Sequence, residues 1–199
     1  MSKKRALRVL RADQRGFSIL ELAIALGVVL STIAIIPIAQ QYTPEQQVNH
    51  VAQAMADDLR QARSESVKFG NDVVVTFDTV HGVLSTYNDV DNNGPDLNEL
   101  IRARSLANYG GGASFRLVAS FGIDGHTVTA PVVMGATNNP ISVTFHANGS
   151  ATNSGVIYMG ASSDPRPMLG RAVSVLATGV IQTWKFANDT PTSGWVRWY

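Results

Sequence analysis

Arg15-Gly16-Phe17-Ser18-Ile19-Leu20-Glu21-Leu22 marks the sharpest change of character in the chain. Upstream, Lys3, Lys4, Arg5, Arg8, Arg11 and Arg15 stand against one acid, Asp13. Downstream, Glu21 is the only charged residue between Phe17 and Ala39. An apolar run of that length meets the roughly 20 residues that a helix needs to cross a bilayer. The basic flank predicts a cytoplasmic N-terminus, with everything C-terminal of the run on the far side. A removed secretory signal would have an apolar region of about 7–15 residues and a small-x-small cleavage site. This run is longer and carries no obvious site of that kind. A plain anchor would also leave Glu21 unexplained, because an acid near the centre of a membrane helix costs about 2.5–3.5 kcal/mol and usually has a partner.

Gly16-Phe17-Ser18-Ile19-Leu20-Glu21-Leu22 resembles the processing motif of type IV pilins and type II secretion pseudopilins. In that family a membrane aspartyl peptidase cuts after the glycine and methylates the new terminal amine. The resemblance implies a cut between Gly16 and Phe17, N-methylation of Phe17, and an assembly role for Glu21, the fifth residue of the mature chain. The chemistry is coherent. The cut leaves a cationic amine in an apolar setting, and a carboxylate on a neighbouring subunit attracts it strongly where water is scarce.

Beyond the run, Thr43-Pro44-Glu45-Gln46 reads as a helix start, with Thr43 as N-cap, Pro44 in the first turn and Gln46 at the capping-box position. Pro37 and Pro44 predict a kink or short break between two helical segments. Val48, Val51, Met55, Leu59, Ala62 and Ser66 recur at spacings of three and four, which predicts an amphipathic helix over 44–69. Gly70 is its predicted C-terminal cap. Near its end, Ala62-Arg63-Ser64-Glu65-Ser66 resembles the Ala-Arg-Ser-Glu-Ala helix end of GspH/FimT-type pseudopilins and minor pilins. Arg63 and Glu65 would either bond within the head or be solvated helix charges.

After Gly70 the period changes. Asp72–Phe77 is a β-branched run, and further strands are expected at 82–87, 114–121, 126–134, 141–146, 156–160, 171–177 and 180–186. Asn148-Gly149 and Thr178-Gly179 are turn signals between such runs. The segments 141–149 and 170–179 resemble the strand-and-turn and closing hairpin of the same family. The expected organisation is a removable leader (1–16), a membrane and assembly helix (17–39), an amphipathic continuation of the rod (40–70) and a β-rich head (71–199). The fold class is α+β and pilin-like: a long N-terminal helix packed on an antiparallel head.

The composition narrows the function classes. Charged residues are 16% of the 199 and the formal net charge is +1, whereas about 25% is usual for a soluble domain. There is thus no global pull toward nucleic acid. With no cysteine, disulfides, thiolate nucleophiles and cysteine-based metal sites are excluded. His50, His81, His126 and His146 are scattered over different elements, and Gly110-Gly111-Gly112 lacks the strand–helix setting and the lysine of a phosphate loop. No catalytic constellation emerges, so the chain is not read as an enzyme.

Two stretches in the head carry site chemistry. Asp89, Asp91 and Asn93 alternate and are followed by Gly94, as at the start of a calcium loop. Glu99 misses the twelfth loop position by one, so calcium competes with a solvated connecting loop. Arg171, Lys185 and Arg197, with Trp184, Trp195 and Trp198, are candidate DNA contacts, because FimT-type relatives include minor pilins that bind DNA for uptake. Against this, the turn Gly179-Val180-Ile181-Gln182 lacks that pattern's arginines, and tryptophans packing one face of a last strand explain the aromatics.

The resemblance implies a minor pseudopilin or pilin with a structural and adaptor role in a periplasmic pseudopilus or at a pilus tip. The chain would sit in the bacterial inner membrane as a single pass, with its head in the periplasm. Its partners would be the prepilin peptidase, other pilins or pseudopilins and an inner-membrane assembly platform. A DNA-binding minor pilin for natural transformation is the alternative.

Overall fold

The computed structural model describes residues 18–39, 43–109, 112–120, 122–135, 141–163, 166–187 and 194–198, with side chains described for all of these except 30–39 and 167. The chain falls into two compact units, Met1–Gln41 and Tyr42–Tyr199. In the first, helix α1 spans Ile19–Ala39 and runs through Pro37. The expected kink falls on the join at 40–42, which lies outside the described residues. Among the described residues no helix is long and apolar enough to cross a membrane.

The second unit opens with helix α2, Pro44–Phe69. Its start is fixed locally. Thr43 Oγ1 accepts from the Gln46 backbone N–H at 3.3 Å, and Gln46 Oε1 accepts from the Thr43 N–H at 3.1 Å. Each bond satisfies a donor that the first turn would otherwise leave open. Gly70 ends the helix in the left-handed region, at φ 72°, and donates to Ser66 O. The apolar stripe of α2 is fully buried: Val48, Val51, Ala52, Met55, Ala56, Leu59 and Ala62 have no exposure. Each of the larger side chains contributes about 1.5–3 kcal/mol by leaving water.

Two antiparallel sheets bury that stripe. The first runs β1 (Asp72–Asp78), β2 (Val83–Asp89), β3 (Leu100–Ser105), β6 (Ser142–Phe145) and β7 (Ala151–Thr152), in the spatial order β3-β2-β1-β6-β7. The second contains β4 (Ala113–Phe115), β5 (Val132–Met134), β8 (Gly155–Ala161), β9 (Arg171–Val175), β10 (Ile181–Phe186) and β11 (Trp195–Trp198). Its order is β11-β10-β9-β8-β4, with β5 also pairing β8. Val73, Val75, Val143 and Phe145 from the first sheet meet Ile157, Met159, Val173 and Val175 from the second in one core with the α2 stripe. A smaller cluster, Tyr158, Ala172 and Trp195, lies on the other face of the second sheet, where Trp184 and Phe186 pack on it.

Three expectations are revised. Strand β3 was not expected. The run at 114–121 forms a strand only over Ala113–Phe115, and the run at 126–134 only over Val132–Met134, with an isolated bridge at Thr127. The backbone between them turns back on itself instead, as the Gly122 N–H donates to His126 O and the Val128 N–H to Ser120 O.

The helix end that resembles the GspH/FimT type ties the sheets together. Arg63 Nε donates to Gly149 O at 2.8 Å, in the turn between β6 and β7. Arg63 Nη2 reaches Thr178 O at 3.4 Å, in the turn between β9 and β10. The two turns touch, since a Cβ on Gly179 (φ +75°) would collide with Gly149 O. Ser66 Oγ donates to His146 O at 3.0 Å, and Glu65 accepts from Arg102 of β3 at 2.7 Å. Arg63 and Glu65 therefore both bond within the head rather than forming a solvated face. Removing the guanidinium with Arg63→Ala should cost about 1–3 kcal/mol, as for hydrogen bonds to charged groups. Gly179→Ala should cost at least about as much, because it meets both a left-handed backbone and a carbonyl in the way. Urea unfolding of both variants, with exposed Ser64→Ala as the neutral reference, checks the ranking.

Candidate functional site

Helix α1 is hydrophobic all round. Ile19, Leu20, Leu22, Ile24, Leu26, Val28 and Val29 are each more than half exposed in the chain by itself. At 100° per residue these positions surround the axis rather than forming a stripe. Such a helix has to be covered by lipid or by other apolar helices. Glu21 sits in its first turn, where an acid complements the positive helix end, and is exposed. Gly16 and Phe17, the expected cleavage and methylation positions, lie outside the described residues.

The basic and aromatic residues near the C-terminus do not form one surface. Arg171 is 3% exposed. Its Nε donates to Asn49 Oδ1 at 2.5 Å, its Nη1 to Gly170 O at 2.8 Å and Met168 O at 3.2 Å, and its Nη2 to Glu45 Oε1 at 3.1 Å. The guanidinium also lies 5.5 Å from the Trp198 ring centre. Burial pushes its pKa below the usual arginine value, and the Glu45 carboxylate opposes that shift. The expectation that Arg171 meets DNA is therefore corrected: it is a buried tie between β9 and α2. Lys185 and Arg197 are exposed, but the register separates them. Lys185 pairs with Val196 and Arg197 with Trp184. Directly paired residues share a face and successive residues alternate, so Lys185 and Arg197 lie on opposite faces of the second sheet. Arg197 and Trp198 instead line a cleft of about 350 Å³ with Arg60 and Thr183. Arg60 went unmarked in the sequence because it is one exposed charge among several on α2.

The acidic turn after β2 adds an acid that the loop spacing leaves out. Asp89, Asp91 and Glu99 each place a carboxylate oxygen within 4.8 Å of the others. Asn93 contacts Asp91. Its Nδ2 donates to Asp91 Oδ2 at 2.7 Å and its N–H to Asp91 Oδ1 at 3.3 Å, so it orients Asp91. Glu99 is brought in by a 3₁₀ turn at Leu97–Glu99, capped by the Asp96 side chain. Counting positions as in a calcium loop passes over Glu99, because that turn shifts the register.

Asp58 and three of the histidines have partners within the fold. Asp58 is buried on α2, accepts the Tyr109 hydroxyl and pairs with Arg104 at 3.1 Å. His50 Nδ1 lies 2.6 Å from Tyr109 O, His81 Nδ1 2.6 Å from Asp78 and His146 Nδ1 2.9 Å from Asp72. These three histidines each have a local partner and do not converge.

The family model described as Type II transport protein GspH matches residues 51–179. The chain belongs to the GspH family. Its matched region includes the buried stripe of α2 from Val51 onward, the Arg63–Glu65 helix end and both turns that Arg63 joins. Among solved structures, the chain is similar to the minor pseudopilin EpsH from the type II secretion system of Vibrio cholerae, at 14% identity and TM-score 0.47, over 71% of this chain and 95% of that one. It is also similar to the type IV minor pilin FimU of Pseudomonas aeruginosa, at 17% identity and TM-score 0.45, over 75% of this chain and 96% of that one. No curated protein matches. The family's description places the chain with type II transport proteins of the GspH type.

Two outcomes follow from the buried polar groups. Arg171→Ala should destabilise the head by about 2–4 kcal/mol, by removing several bonds and leaving buried acceptors unpaired. Lys185→Ala and Arg197→Ala should each stay within about 0.5 kcal/mol of the parent, and equilibrium urea denaturation measures all three. Burial, then the bond to Asp58, raises the Tyr109 pKa above its ordinary 10.0. A raised folded value means that stability is full below about pH 10 and falls as pH climbs through the folded value. Thermal melts from neutral to alkaline pH should show that fall, and Tyr109→Phe should flatten it.

Proposed function

We propose that the chain is made as a precursor, cut between Gly16 and Phe17, methylated on Phe17, and assembled through its N-terminal helix as a minor subunit of a type II secretion pseudopilus or type IV pilus. Residues 17–39 anchor it in the bacterial inner membrane, with the basic leader cytoplasmic and the head in the periplasm. The prepilin peptidase processes it, and an inner-membrane platform hands it to neighbouring pilin-type subunits. The observation that carries this reading is the chemistry of α1. Large apolar side chains surround the helix, and one carboxylate, Glu21, stands in the first turn. In lipid the apolar circumference is satisfied. In a helical bundle of subunits it becomes the packing surface, and Glu21 faces the terminal amine of a neighbour. Both charges are then paired where unpaired they would be costly.

The head's part is contact rather than chemistry. A DNA-receptor role draws little support, because Arg171 is committed inside the fold and Lys185 and Arg197 face apart.

Glu21→Ala tests the assembly step separately from anchoring. The variant should insert and be cut as the parent is, giving a mature chain that begins at a methylated Phe17 by mass spectrometry. Its recovery in sheared filaments should drop by about tenfold or more, the scale set by losing one partner of a buried ion pair. Parent-level incorporation of Glu21→Ala would reduce this stretch to an anchor and cleavage signal.

A further inference from the structure

The acidic turn beside β2 has properties that a solvated loop does not require. Asp89 is the last residue of β2 and only 7% exposed. Its Oδ1 is buried and makes no hydrogen bond, and Glu99 Oε2 is in the same condition. A buried carboxylate oxygen without a donor is expensive, and folded proteins rarely leave one so. No salt bridge among the described residues includes Asp89, Asp91 or Glu99. Three carboxylates this close repel one another unless a positive charge stands between them.

The surroundings hold these groups in place rather than letting them spread. Glu99 Oε1 accepts the Val90 N–H at 2.8 Å, which ties the 3₁₀ turn back to the end of β2. Asp96 caps that turn by accepting from the Asn98 N–H at 2.7 Å and the Glu99 N–H at 3.2 Å. Asn93 holds Asp91 from the solvent side. Glu99 Oε2 and Asp89 Oδ1 are thus left without donors.

We propose that Asp89, Asp91 and Glu99 form a site for a hard divalent cation of the calcium class, closing the β2–β3 connection onto the end of β2. The donors are all oxygens, as such cations require. Calcium–oxygen distances of about 2.3–2.6 Å allow ligands of one ion to lie up to about 5 Å apart, and the three carboxylates fall inside that span. Asp91 is exposed, so one side of the site is open to water, which completes the coordination shell. The ion offsets two of the three negative charges, gives the two buried oxygens a partner and fixes the loop that carries Asn92 and Gly94 through left-handed turns.

The test uses the full chain in detergent micelles, titrated with calcium chloride after EDTA treatment and followed by calorimetry and thermal melting. A dissociation constant near the millimolar range of extracellular calcium modules is expected, about 10⁻⁴–10⁻³ M. Melting should then rise by about 3–6 °C at roughly 10 mM calcium. Asp91→Asn and Glu99→Gln, both nearly isosteric, should abolish the calcium-dependent rise. Without calcium they should melt at or above the parent temperature, because each removes one like charge. Absence of a rise in the parent at that concentration overturns the proposal. So does an equal rise in both variants, which would place the ion elsewhere.

Discussion

The head depends on the burial of one helix face by two sheets that share no strand. The stripe of α2 from Val48 to Ala62 has no exposure, and neither sheet alone provides the full set of residues that covers it. Hydrophobic burial is strong but non-directional, so it holds the layers together without setting their register. Polar ties at fixed turns of α2 supply that register. Glu45 and Asn49 take Arg171 of β9 near the start of the helix. Asp58 takes Arg104 and Glu65 takes Arg102, both from β3. Arg63 reaches the turns of both sheets near the helix end. A helix gripped along its length by charged bonds at defined spacing has one way to sit between the layers.

The two helices solve different problems with different residues. The stripe of α2 is narrow and is covered by the chain's own head. The apolar surface of α1 goes all the way round, and its exposed leucines, isoleucines and valines have to find cover. The sequence of α1 carries a single charged residue, the acid in its first turn. This division suits a subunit whose head folds independently of its neighbours while its N-terminal helix is finished only by lipid or by other subunits.

Legibility in the sequence follows how local each determinant is. The bounds of α2 were readable to the residue, because Thr43, Gln46 and Gly70 act on their immediate neighbours. Strands β1 and β2 were readable from β-branched residues between turn formers. Strand β3 was not, because its alternation is inverted: the apolar Ile101 and Ala103 are exposed, and its inward groups are Arg102 and Arg104, which meet carboxylates on α2 rather than a hydrophobic core. Arg171 misled for a related reason. Every residue of β9 is buried, so no alternation reveals which face Arg171 occupies, and an arginine beside tryptophans resembles a surface patch. Glu99 was passed over because its nearness to Asp89 depends on a 3₁₀ turn whose cap, Asp96, looks in sequence like one more acid of the loop.

The same ties settle what the head's charges are available to do. Arg63, Arg102, Arg104 and Arg171 are all engaged within the fold, the first to carbonyls and the others to carboxylates. The carboxylate partners offset Arg102, Arg104 and Arg171, which therefore add little to any long-range positive field, while the carbonyls fix Arg63 in place without offsetting its charge. The chain's positive excess instead comes from the leader, where six basic side chains stand against one acid. If the leader is removed at Gly16, the mature subunit is mildly acidic, and steering toward a polyanion loses its physical basis. On the proposed assembly, where N-terminal helices already hold neighbouring subunits side by side, such a head would recognise them by shape and short-range contacts.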